Sequence, residues 1–148
     1  MKRNLFLTAI MVLTLASCSQ KPTMQKYFVE KSEQKDFMTL DIAPNFINTD
    51  SINLSPEEKT ALKSLHKLNI LAYKATPANK QQYTNEKEKV KALIKGEYEE
   101  LMKVNMPEQG VSINTKGEGE HIEEFVVYAY NKDNGFTVVR VLGEDMNP

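Results

Sequence analysis

The chain has 148 residues, of which 41% are hydrophobic and 26% charged, and its formal net charge is −1. This length suits a single domain. Nucleic acid is a poor partner for such a chain, because nucleic-acid binding depends on clustered Lys and Arg, and no basic stripe is present.

The first seventeen residues have the layout of an export signal. Lys2 and Arg3 precede an apolar run over residues 5–15, and Ala16 and Ser17 follow it. The run is too short to span a bilayer, for which a helix needs about 20 apolar residues. We therefore predict that residues 1–17 are a signal peptide that is removed from the mature protein.

Cys18 is the only cysteine of the chain, and it directly follows this signal. The segment Leu15-Ala16-Ser17-Cys18 resembles the bacterial lipobox, which implies acyl chains on Cys18 and a membrane anchor. The alternatives are an ordinary secretory signal that happens to end near a cysteine, or a buried thiol in a cytosolic protein. Ser19 resembles the residue found there in lipoproteins forwarded to the outer membrane, which predicts a cell-envelope protein facing the periplasm.

Residues 18–35 are predicted to be the anchor, a tether and one short helix, ahead of a domain over residues 36–148. Met24, Tyr27 and Phe28 would share one face of that helix, which either docks on the domain edge or remains part of the tether. The domain opens with a half-buried strand at 37–42, because apolar residues alternate there.

The middle of the chain predicts two helices with a strand between them. Ser55 and Glu58 form a capping box around Pro56, so a helix is expected from there to about Lys67. Its buried stripe would include Ala61, Leu62 and Leu65. The apolar run 68–73 predicts a strand that is buried on both faces, joined to the strand before it by a parallel crossover.

The second helix is expected to begin at Thr76-Pro77 and to bury Tyr83, Val90, Leu93 and Ile94. Tyr98, Leu101 and Met102 continue the helical spacing. The last third predicts strands at 111–114, 122–130 and 135–142, and Asn134-Gly135 has the composition of a tight hairpin turn.

The predicted class is α+β, with a single domain and the element order βαβα(α)βββ. We expect a mixed sheet of about five strands with two or three helices packed on one face.

No catalytic set can be assembled from these residues. Gly-x-Ser-x-Gly and Gly-x-x-x-x-Gly-Lys motifs are absent, and His66 and His121 lack the spacing of paired metal ligands. The sequence therefore predicts no catalytic residue, no cofactor and no metal site.

Four residues on the last two strands form a possible binding face. Arg140 and Phe136 share one side of their strand, and Arg140 could form a fork for a carboxylate. Tyr128 and Tyr130 share a side of theirs and could form an aromatic platform. The alternative is that Arg140 pairs with an acidic residue across the sheet and that the tyrosines are ordinary sheet packing.

Ser51 is a possible modification site. Asp50-Ser51-Ile52 resembles the acceptor for O-glycosylation of exported proteins in some Gram-negative anaerobes. The alternative is that these are plain loop residues.

Four segments resemble the DUF4252 class of small Bacteroidetes-type lipoproteins, a domain of unknown function: residues 25–30, 37–42, 68–73 and 139–146. The resemblance implies a lipoprotein with no assigned activity and no catalytic residues. It also suggests genes near extracytoplasmic-function sigma factors, and so a setting in envelope signalling.

The resulting hypothesis is a non-enzymatic, lipid-anchored module that binds an envelope protein or peptide. Contact would use an exposed sheet edge, or the face of Phe136 and Arg140 if no helix covers it. The alternative is a periplasmic small-ligand or ion-binding domain, in which Tyr128, Tyr130, His121 and the acidic turn would converge on one pocket.

Overall fold

The structure is a computed structural model that describes residues 21–43, 53–119 and 121–146. The predicted signal peptide, the lipidation at Cys18 and the glycosylation at Ser51 lie outside these residues and remain predictions. None of the described helices is long and apolar enough to cross a membrane.

Three α-helices and six strands make up the described chain. They are α1 Met24–Lys31, β1 Phe37–Ile42, α2 Pro56–Ser64, β2 Leu65–Lys74, α3 Lys80–Glu97 preceded by a 3-10 turn at Pro77–Asn79, β3 Glu99–Asn105, β4 Gln109–Glu118, β5 His121–Asn131 and β6 Gly135–Met146. The predicted α+β class is confirmed.

The strands form one sheet in the order β1-β2-β6-β5-β4-β3. All five neighbouring pairs are antiparallel. The sheet therefore has one strand more than the predicted five, and the mixed sheet with a parallel β1–β2 crossover is wrong. A parallel pair needs a crossover connection, usually a helix packed on the sheet. The helix α2 has no buried residue, and it connects β1 to its antiparallel neighbour β2.

The start of α2 is confirmed and its end is not. The Ser55 side chain accepts from the Glu58 amide, and the Glu58 carboxylate accepts from the Ser55 amide. The helix ends at Ser64, and Leu65 already pairs with Gly143 on β6. The residues after Ser64, which the sequence spacing assigned to the helix, instead pair with β6 in the sheet. The predicted buried stripe on α2 is also wrong.

The core lies between the sheet and the pair α1 and α3. Met24 of α1, Val90 of α3 and Val138 of β6 are each fully buried. Around them, Tyr73, Tyr83 and Phe136 stack with ring centroids 5.5–6.2 Å apart. The face of Met24, Tyr27 and Phe28 is therefore packed into the core, as in the alternative in which this helix docks on the domain.

The second helix is confirmed, but its predicted continuation is wrong. α3 buries Tyr83, Val90 and Leu93 as expected, and the chain then becomes the edge strand β3. Leu101 and Met102, which fit a helical spacing, lie exposed on this strand. Pairing with β4 supplies the backbone hydrogen bonds that a longer helix would have supplied.

Candidate binding surface

The helices α1 and α3 cover only one of the two faces of the sheet. Alternate residues of a strand point to opposite faces, and the strand register shows which residues share a face. On the helix-covered face, residues such as Leu71, Val126 and Val138 are fully buried. We call the opposite face the open face. Its apolar residues are half-buried or exposed, and the described part of the chain does not fully bury any of them.

The open face is apolar across all six strands. Its members, ordered by strand across the sheet, are Met38, Leu40, Ile42, Leu68, Ile70, Ala72, Thr137, Val139, Val141, Phe125, Val127, Ala129, Val111, Ile113, Thr115, Met102 and Val104. None of these is charged, and the two threonines are the polar ones among them; at the two ends of the face, Glu99 pairs with Thr115 and Lys74 pairs with Gly135. Antiparallel sheets that face water on one side normally carry polar residues there.

The edges of this face are the most exposed. On β1, Met38 and Leu40 are 70% and 52% exposed, and on β3, Met102 and Val104 are 57% and 46% exposed. Single exposed apolar residues are common, but contiguous patches of this kind mark interaction sites. With strands about 4.8 Å apart, the face covers on the order of 500 Å². Burying that area contributes on the order of 12 kcal/mol.

An open trough crosses one end of the open face. Its volume is about 750 Å³, and every strand contributes to its lining: Met38, Ala72, Thr137, Ala129, Val111 and Val104. At the other end of the sheet, Phe125 lines a groove between the sheet and α2. The open face is therefore bounded by a helix at one end only.

The predicted binding face of Arg140, Phe136, Tyr128 and Tyr130 lies on the covered side, so this prediction is wrong. Phe136 is 3% exposed, Arg140 3% and Tyr128 4%, while Tyr130 is half-buried. The helices α1 and α3 cover these residues. The alternative interpretation, in which they are sheet packing and Arg140 pairs across the sheet, is confirmed.

Arg140 is the centre of a buried polar cluster. Its Nε lies 2.6 Å from Oε1 of Glu124, and its Nη1 donates to Oε1 of Gln25 at 2.7 Å. The Tyr98 hydroxyl donates to Glu124 at 2.9 Å. Burial and the Glu124 carboxylate raise the pKa of Tyr98, which keeps its hydroxyl protonated as a donor. The cluster ties α1 to β5 and β6; Arg140, Glu124 and Tyr98 are buried in it, and Gln25 is its exposed member.

Glu86 on α3 is the centre of a second buried cluster. Its carboxylate accepts from the Tyr27 hydroxyl at 2.8 Å, from Lys31 Nζ at 3.2 Å and from Lys89 Nζ at 2.9 Å. Burial acts to raise the pKa of Glu86, but the hydrogen bonds from Lys89, Tyr27 and Lys31 outweigh it and hold this pKa below its ordinary value.

This pKa shift predicts a pH dependence of stability. Below the ordinary Glu pKa of 4.5, the unfolded state takes up a proton before folded Glu86 does. The stabilisation is therefore full above about pH 4.5 and is lost as the pH falls through the lower folded-state pKa. We expect Glu86→Gln to be less stable than the wild type at pH 7, and the difference between their urea midpoints to shrink towards pH 3. A constant difference across this range would contradict the assignment.

The residues of the ligand-binding alternative do not converge. Tyr128 and Tyr130 stack at 5.8 Å beside a groove of about 740 Å³, which Lys91, Lys95 and Lys103 also line. The Tyr128 hydroxyl is buried there without a hydrogen-bond partner among the described residues. His121 is seven residues from Tyr128 along β5, or about 23 Å.

His121 and the acidic turn belong to the opposite end of the sheet. His121 Nδ1 lies 2.6 Å from Oδ1 of Asp145, and both side chains are exposed. Glu120 lies outside the described residues. Within the described ranges, no three His, Cys, Asp or Glu side chains are close enough together to hold a metal ion.

Sequence reasoning missed the open face although its signal was present. The middle stretches of β2, β5 and β6, residues 68–73, 125–130 and 136–142, carry apolar residues at most positions, which is typical of strands covered on both faces. In the structure, the described chain covers only one face. The apolar residues on the uncovered face have no packing partner in the described chain, and this observation points to a binding surface.

Comparisons with known proteins give a family and no activity. Residues 27–148 match the model of a family described as a domain of unknown function, DUF4252. Neither the curated proteins nor the solved structures contain a significant match to this chain.

Proposed function

The chain belongs to the DUF4252 family, and we propose that it is a lipid-anchored, non-enzymatic protein-binding module of the cell envelope. The open face is its contact surface. The observation that carries this proposal is an uncharged, apolar sheet face spanning six strands, which nothing in the described chain buries. Patches of this size mark contact sites for proteins or membranes.

The rest of the described chain supports a binding role over catalysis. The buried charged groups form two pairs, Arg140 with Glu124 beneath the helices and Lys31 of α1 with Glu86 of α3. These pairs hold the fold together, which favours a structural role for these groups over catalysis. The open face itself has no ionisable side chain that could transfer a proton.

The anchor belongs to the same proposal. Lipidation of Cys18, removal of residues 1–17 and a position on the outer membrane facing the periplasm would hold the domain at a surface, where its partners are confined as well. The glycosylation proposed at Ser51 would place a sugar on the same exported domain. Intact mass measurement of the native protein tests both modifications, since each adds a defined mass.

We expect crosslinking in intact cells to capture a specific envelope protein through the open face. The variant Leu40→Lys/Val104→Lys should lose this capture, because both side chains are about half exposed and the added charges would have to be desolvated at the contact. Cys18→Ala should also lose it, together with the membrane association. The measurement is mass spectrometry of the crosslinked, affinity-purified protein.

Gln82→Lys is the matched control, because it adds the same charge at an exposed position on α3, on the other side of the molecule. It should leave capture unchanged. Capture that is equal in the wild type and in Leu40→Lys/Val104→Lys would show that the open face is not the contact surface.

A further inference from the structure

We propose that the open face packs against the open face of a second copy of this chain, which forms a sandwich of two six-stranded sheets. This inference rests on the proposed function and deepens it by naming the partner. The two faces would lie about 10 Å apart, the usual distance between packed sheets.

The size of the open face fits a dimer. Two faces of about 500 Å² each reach the roughly 1,000 Å² that a specific interface needs. A homodimer interface is also more apolar than the rest of a protein surface. The open face meets this condition, since its polar members are two threonines.

The chemistry of the face suits a copy of itself. Val127 on β5 lies opposite Val139 on β6, and this pair occupies the middle of the six-stranded order. In a two-fold symmetric interface the same patch serves both partners. An apolar patch without charge satisfies this requirement because no like charges meet across the axis.

The anchor determines which two-fold axis is possible. The α1 backbone begins next to the end of α3, where the Met24 amide donates to Glu97 at 2.6 Å. Glu97 is two residues before Glu99, the first residue of β3, so the chain enters the domain at the end of the sheet where β3 begins. The stretch from Cys18 to Thr23 spans at most about 18 Å. This end of the sheet is therefore held near the membrane.

Two copies anchored in one leaflet must have this end on the same side. A two-fold axis parallel to the strands does this, whereas an axis across the strands would place the two anchors at opposite ends. With the axis along the strands, β1 of one copy faces β3 of the other. Val127 and Val139 then lie near the axis, where each faces Val127 and Val139 of the second copy.

Single introduced cysteines test this arrangement in membranes. Cys18 is the only native cysteine and carries the lipid in the proposed mature protein, so an introduced cysteine is the one reactive thiol. With a short bis-maleimide, Val139→Cys should give a dimer with itself. Leu40→Cys should not, but co-expressed Leu40→Cys and differently tagged Met102→Cys should crosslink to each other, because Leu40 and Met102 lie at the same height in the strand register.

Gln82→Cys on α3 is the control and should stay monomeric. Adding Leu40→Lys/Val104→Lys to Val139→Cys should reduce the crosslinked fraction at least about tenfold, because like charges would meet at the contact.

A dimer of Leu40→Cys alone would overturn the proposed axis, since it needs β1 against β1. If Val139→Cys forms no dimer while the wild type captures a different protein through the open face, the second copy is wrong and the binding module stands. If Val139→Cys forms no dimer and no protein is captured, both proposals fail.

Discussion

Replacing Arg140 with methionine is expected to lower the free energy of unfolding by about 3–5 kcal/mol. Arg140 and Glu124 are 3% and 5% exposed, and the Arg140 Nε lies 2.6 Å from the Glu124 carboxylate. Removing the arginine leaves the carboxylate buried, with the Tyr98 hydroxyl still donating to it. The change is measured by urea unfolding, followed by circular dichroism.

A second variant separates the charge from the packing. In Arg140→Met/Glu124→Gln the buried carboxylate is replaced by a neutral amide that still accepts from Tyr98, so most of the lost stability should return. Equal destabilisation in the single and double variants would mean that the shape of Arg140, which stacks on the Phe28 ring at 5.1 Å, matters more than its charge.

Gly135→Ala is expected to destabilise the domain by at least about 3 kcal/mol, through backbone strain and overpacking. Gly135 has a φ of +123°, which L residues with a side chain rarely adopt. A Cβ at this position would also collide with the backbone oxygen of Tyr73 on β2. Thermal and urea unfolding measure the loss.

Gly96→Ala is the matched control for this substitution. Gly96 lies near the end of α3, and a Cβ there meets nothing within 4 Å. Alanine in a helix is more favourable than glycine by about 0.5–1 kcal/mol, so this variant should be slightly more stable than the wild type. Similar losses in both variants would contradict the role of the turn.

The open face changes how both stability experiments are interpreted. If two copies pack through it, stability depends on protein concentration, because association stabilises the folded state. Unfolding of Leu40→Lys/Val104→Lys should then be independent of concentration, whereas the wild type should gain stability as the concentration rises. The core variant Arg140→Met lies on the covered side of the sheet and should show the wild-type concentration dependence.

Local features of the chain could be predicted wherever neighbouring residues decide the structure. The capping box of Ser55 and Glu58 depends on residues three apart, and both hydrogen bonds are present. The strand at 37–42, the helix after Thr76 and the hairpin before Gly135 also follow from nearby residues. The family resemblance was likewise confirmed, because it depends on the sequence alone.

The segment after α3 shows where prediction from neighbouring residues fails. Tyr98, Leu101 and Met102 fit a helical spacing, yet residues 99–105 form a strand because β4, which comes later in the chain, offers a partner. The antiparallel β1–β2 pairing was missed for a related reason. A sequence gives the order of elements, but the side on which a connection returns depends on what each element packs against.

The sequence by itself determined the α+β class and the elements whose signals are local, such as the capping box of Ser55 and Glu58 and the strand at 37–42. Only the tertiary structure decided which face of the sheet is covered. The alternation on β5 and β6 separates two sets of residues, both of them apolar, and a period of two cannot say which set meets the helices. The helices α1 and α3 cover Arg140 and Phe136 and leave Val127 and Val139 open, because burial depends on contacts between segments far apart in the chain.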